Sequence, residues 1–192
     1  QEGREGYEGT QDTWIYSYQR NVVQPLAGGL KIKGGEIQSI LVRFDLIGRL
    51  PADANVQRAE LAFYVIDSQG RTLDVGAFRV LRDWLPTQVS WDYVHTGNDV
   101  AWDSPGCNGV GVDRVGDADG TTTLFHRAVH KGIDVTDSVR YWLEHPGENH
   151  GWLVKGVSPA TAGFSVASSR NAAQTYRPIL RIDYTSGDGT PT

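Results

Sequence analysis

The stretch VQRAELAFYVID, residues 56–67, decides the fold class. Its apolar residues Ala59, Leu61, Phe63 and Val65 recur at every second position, the period of a half-buried strand and not of a helix. Working outward, IQSILVRFDL (37–46) places Ile40, Val42, Phe44 and Leu46 on one face, and TWIYSY (13–18) alternates in the same way. VGAFRVL (75–81), TTTLFHRAVH (121–130), GWLVKG (151–156), GFSVAS (163–168) and RPILRIDY (177–184) continue the series. Pro51, DSQG (67–70), HPGENHG (145–151) and SSRNAA (168–173) supply the turns. Strands in series with no helices between them predict an all-β, antiparallel sandwich.

One helix interrupts this pattern. In DVTDSVRYWLEHPG, Asp134 is placed to cap, with Asp137 three residues on. Val135, Val139, Trp142 and Leu143 form an apolar stripe at helical spacing, and Pro146-Gly147 ends it. The spacing predicts a short helix near 137–145 that plugs an open end of the sandwich.

The chain has 192 residues, of which 39% are hydrophobic and 10% aromatic, enough to fill the core of a single domain. Residues 11–185 read as that domain, 1–10 as an N-terminal extension and 186–192 as a polar tail or the start of a linker. A formal charge of −5 argues against nucleic acid and anionic lipid as partners. No apolar run approaches the ~20 residues needed to span a bilayer. Cys107 is the single cysteine, so an internal disulfide is excluded. A chain opening at Gln1 reads as a mature secreted product or a trimmed one.

Charge concentrates in one place. Asp92, Asp99, Asp103, Asp113, Asp117 and Asp119 face a single base, Arg114, in a glycine-rich span. Within it VGDADGTTT (115–123) looks like half of a calcium loop: Asp117 and Asp119 alternate and Gly120 supplies the bend. The EF-hand rule then fails, because Ala128 stands where the bidentate Glu belongs. A calcium site here would be assembled from Asp113, Asp117 and Asp119 with Asp103, or with Asp12 from another strand. The plain alternative is an Asp-Gly turn in a solvated loop.

Catalytic motifs fail one by one. HRAVH (126–130) has Arg127 where a zinc protease needs its Glu, and as a strand it places His126 and His130 on one sheet face. There is no Gly-x-Ser-x-Gly elbow, and GGLKIKGG (28–35) lacks the Gly-Lys-Ser/Thr ending of a phosphate loop. The chain reads as a non-enzyme.

Of the tryptophans, Trp84 and Trp91 read as caps on the core, with a sugar-stacking platform as the alternative, and Trp142 and Trp152 as core residues. Trp102 sits in the acidic span without periodic apolar neighbours. It is open to stacking on a pyranose ring, packing on a neighbouring subunit, or loop packing. Tyr93, Arg170 and Tyr7 join it as candidate ligand or partner contacts. Arg170 and Arg177 are expected to anchor the loop before the last strand, and Asp45 to pair with an arginine.

Five fragments in order, QDTWIYS, SILVRFDLIGRLPADANVQRAELAFYV, DWLPTQVSW, DVTDSVRYWLEHPGENHGWLVKG and FSVASSRNAAQTYRPILRIDY, resemble the DNRLRE domain family across about residues 11–185. That resemblance implies a jelly-roll-like sandwich, extracellular and non-enzymatic, often stabilised by calcium, with some relatives classed as carbohydrate-binding modules. The family's usual acidic position in ASRE is Asn171 here, which removes an expected ion pair. Two functions follow as expectations. The first is a self-assembling structural subunit of a surface filament, tube or matrix; the second is a module for an extracellular polysaccharide. QEGREGYEGT carries little apolar surface with which to fold back on its own core, so it is expected to pair with the sheet edge of a neighbouring copy.

Overall fold

The computed structural model describes residues 1–51, 53–68 and 70–186, so residues 187–192 of the expected tail lie outside the described residues. The deciding stretch becomes β4, Asn55–Ser68, at fourteen residues the longest strand. Ahead of it come β1 (Thr10–Tyr16), β2 (Gly29–Lys33) and β3 (Gln38–Phe44). After it come β5 (Leu73–Arg79), the small β6 (Tyr93–His95) and β7 (Val100–Ala101), β8 (Gly120–Leu124) and β9 (Val129–Asp134). The helix α1 (Thr136–Glu144), β10 (Trp152–Gly156), β11 (Gly163–Ala167) and β12 (Ile179–Thr185) complete the chain.

Pairing is antiparallel throughout the named strands and builds two layers. One runs β1-β3-β10-β5-β8. In the other, β4 pairs with β9 on one flank. Its opposite flank carries β12 and β11 end to end, and β11 leads on to β2. The β2–β3 hairpin, with Lys33 opposite Gln38, joins the layers at one corner. On the far side Gly120 of β8 lies so close to β9 that a Cβ there would sit 2.6 Å from the Asp134 carbonyl. The result is an antiparallel sandwich close to a barrel.

The expected inward residues Ile40, Val42, Phe44, Ala59, Leu61, Phe63 and Val65 all lie in the main core between the layers. Helix α1 adds Val139 and Trp142 to it, with Trp142 edge-on to Trp152 at 4.6 Å. Asp134, expected to cap this helix, is the last residue of β9, and the N-cap is Val135, which makes no side-chain capping bond. The Asp134 carboxylate instead accepts the Thr136 hydroxyl at 2.7 Å and the Thr136 N–H at 3.0 Å, which together hold its pKa below the ordinary carboxylate range.

Strict alternation does not describe the first layer. Ile15, Leu41, Phe78 and Leu153 point the other way and are also buried, in a second core with Val80, Trp84, Val89, Trp91, Val94, Trp102 and Cys107. Segment 80–119 therefore folds down over the outer face of that sheet. Strands covered on both faces read as continuous apolar runs, and SILV and WLV are such runs.

Three expectations are corrected. TTTLFHRAVH is two strands: β8 pairs with β5, and β9 crosses to β4. The turn between them places Ala128 at φ +60°, and His126 and His130 do not share one strand. GLKIK, read only as a failed phosphate loop, is β2. The N-terminal extension folds back on its own chain: the Gln1 side chain donates to the Gln174 and Arg177 carbonyls at 2.8 and 2.9 Å. Tyr7 is the reason, since one aromatic ring supplies the apolar surface that composition made scarce. It packs 6.3 Å from Phe44, and its hydroxyl donates to the Asp45 carbonyl.

Candidate functional site

β1 is the edge of its layer, and the opposite layer meets it with β2, the 168–171 loop and the start of β12. Polar side chains meet along this seam. At its centre Asp12 is fully buried and accepts the Ser169 N–H at 2.5 Å, the Ser169 hydroxyl at 3.0 Å and Arg170 Nη1 at 3.0 Å. Burial raises the Asp12 pKa, against the pull of these donors. The pair ties β1 to the loop before β12, so Arg170 anchors that loop as expected and forms an ion pair with Asp12. Arg177 also anchors it, donating from Nε to the Asn171 carbonyl at 2.8 Å. Asp45, expected to pair with an arginine, accepts the Ile47 N–H instead.

Toward the Tyr16 end the seam opens into a groove of about 310 Å³ lined by Tyr16, Lys31, Lys33, Gln38, Asp67 and Ser165. Tyr18, 73% exposed, stands beside it with its ring 5.4 Å from that of Tyr16. Lys31 Nζ lies 5.2 Å above the Trp14 ring. None of these was singled out from sequence. The available signal was the alternation of TWIYSY facing that of LKIK.

Toward the Thr10 end a second groove of about 280 Å³ runs between the N-terminal arm and β12. Phe44, Leu46, Leu50, Leu180 and Ile182 line it together with Arg4 and Arg49. Arg49 lies 5.1 Å over the Tyr7 ring, and burial pushes the Tyr7 phenol up to about 12. Among the described residues β12 pairs only with β4, so its outer row of backbone groups is open.

The acidic span has a different character. Asp113 is fully buried and accepts the N–H groups of Asp103, Ser104 and Gly109 at 2.9, 3.0 and 3.0 Å, with Arg82 3.5 Å away. It is the internal post of a folded loop. Asp119 accepts the Trp152 indole N–H at 3.1 Å, and burial raises its pKa. Asp103 and Asp117 face solvent, and Asp12 lies on the seam. The five carboxylates do not converge, and among the described residues no three metal-ligating side chains gather at one point. They do not fit the six to eight oxygens calcium takes.

Trp102, 4% exposed, donates its indole N–H to the Ser90 carbonyl and packs in the second core. Loop packing is its role in this fold, and it offers no open ring face. Tyr93 is half-buried in β6. Cys107 is sealed in the same core, where burial holds its thiol pKa well above the ordinary value. His126 and His130 each meet an aromatic ring edge-on, Phe125 and Tyr64 respectively. Among the described residues no helix is long and apolar enough to cross a membrane.

No protein-family model matches the chain, and no curated protein matches it.

Proposed function

We propose that this chain is a non-catalytic, extracellular β-sandwich subunit that associates with copies of itself into a filament, tube or matrix. The open outer edge of β12, beside an apolar groove, carries the reading. An unpaired edge is a template for another strand, and a groove alongside it gives the incoming side chains somewhere to bury. The folded-back arm is compatible with it, because every contact the arm makes to its own body is repeatable on the body of a second copy. Exchange of such an element is a low-cost route to assembly. The non-catalytic part rests on Cys107 being sealed and on both histidines of HRAVH being engaged with aromatic rings. The resemblance to the DNRLRE family, and secretion with it, belong to the same proposal; calcium does not, since among the described residues the candidate ligands do not gather at one point. Light scattering and negative-stain microscopy over a rising concentration series test it. Growth of mass with concentration is expected, and a monomer throughout the series rejects it.

The Tyr16 groove favours a second reading. Two tyrosine rings with Lys31, Lys33 and Gln38 suit stacking on a sugar and hydrogen bonding to its hydroxyl or carboxylate groups. Binding on a glycan array that Tyr16→Ala and Tyr18→Ala abolish, by a chain that stays monomeric, would make this the function.

A further inference from the structure

On the outer face of the second layer two tyrosines are arranged with a geometry the proposed function does not use. Tyr64 lies in β4 between Phe63 and Val65, which are core residues, so its ring points outward. Tyr176 ends the short 3-10 turn Gln174–Tyr176, just before β12 begins. That turn covers the place where β11 stops and β12 starts along β4. The two rings are 3.9 Å apart, centroid to centroid, and 2° from parallel. Their hydroxyls interact, which raises the Tyr64 pKa. At this spacing and angle the two rings lie face to face. Tyr176 is 39% exposed, so the pair is reachable from solvent. The Tyr16–Tyr18 pair is wider, at 5.4 Å, and tilted by 53°.

We propose that Tyr64 and Tyr176 form a built-in site for an intramolecular dityrosine cross-link. The oxidant required is hydrogen peroxide acting through a haem peroxidase. Each phenol gives up one electron and its proton, leaving a phenoxyl radical. The two radicals join through one new bond between ortho carbons. Each coupled ring then loses its ortho hydrogen as a proton and regains one on oxygen, which restores both phenols. The protein loses two protons and two electrons in total, and one hydrogen peroxide takes them up to become two waters. The bond would fasten the turn ahead of β12 to β4, a covalent staple in a chain whose single cysteine forbids a disulfide.

The test uses the intact chain, kept dilute, with a haem peroxidase and hydrogen peroxide. The expected result is blue dityrosine fluorescence in the monomer fraction. Trypsin should release peptide 59–71 joined to peptide 171–181 with the loss of two hydrogens. Tyr64→Phe and Tyr176→Phe keep the ring stack and should each abolish that product, while Tyr18→Phe leaves it intact; melting curves of the variants confirm that they fold. The cross-linked protein should melt above the untreated one. Absence of the joined peptide, its persistence in Tyr176→Phe, or a product made only between Tyr18 residues of two molecules overturns the proposal.

Discussion

Asp12 and His150 show opposite ways of burying a charge-bearing group. Asp12 is stabilised by three donors, so Asp12→Ala strands the Ser169 N–H and leaves Arg170 without its partner. The expected cost is on the order of 3 kcal/mol in urea unfolding; a loss within experimental error would mean that the seam is not held there. His150 has no such compensation: burial lowers its pKa, Asp83 at 3.8 Å opposes this, and Arg43 adds to it. Its folded pKa therefore lies below the unfolded value of about 6.5. Between the two the unfolded chain binds the proton more readily, so stability is lost as pH falls through that window and levels off beneath it. Melting midpoints should fall from pH 7 to pH 5 more steeply in the native chain than in His150→Gln; parallel curves would contradict this. Asp113 supports backbone and not a cation, so Asp113→Ala should destabilise by the same amount in chelator as in millimolar calcium. A cost that appears only with calcium would restore the metal reading.

At the scale of elements, period-two alternation was enough to recover most strands and the inward face of β4, because a core on one side imposes that period directly. What alternation hid was the second core. Leu41 and Leu153 sit in uninterrupted apolar runs, and such a run fits a strand buried on both faces as well as an irregular one-sided strand. The cover came from residues that look like a solvated loop by composition. Trp91, Trp102 and Cys107 lie in it without a period, since a loop packs by shape and by satisfied backbone groups such as those around Asp113. Trp102→Ala should therefore cost about 3–5 kcal/mol, as core tryptophan truncations do. A change under ~1 kcal/mol would return the ring to the surface and reopen it as a ligand contact. The seam grooves were illegible for another reason: Tyr16, Lys31 and Gln38 come together only through the layer-to-layer corner at Lys33 and Gln38. The signal for that corner is local, the strand GLKIK ending in the turn at Gly34 and Gly35, but its glycines resemble a phosphate-loop fragment and mask the hairpin.

For the whole molecule the question is where the N-terminal arm resides when many copies are present. The arm is held by Tyr7 against Phe44, by Gln1 on the 174 and 177 carbonyls, and by the Arg177 hydrogen bond to the Glu2 carbonyl. All of these partners belong to the body, so the same set forms with the body of a neighbour at no loss of contact. Cis and exchanged states then differ mainly in the entropy of association, and concentration selects between them. Exchange places each arm along the next copy's β12 groove, and a head-to-tail contact of this kind propagates unless the rotation closes a ring. Deleting residues 1–8 removes the exchanging element and exposes Phe44, so the truncated chain should stay folded, melt lower and fail to assemble. Tyr7→Ala should weaken assembly in the same direction while leaving the backbone contacts of the arm in place. If the truncated chain assembles as well as the intact one, the β12 edge is filled by something other than the arm. If neither assembles at any concentration, self-association is rejected and the Tyr16 groove becomes the site to pursue.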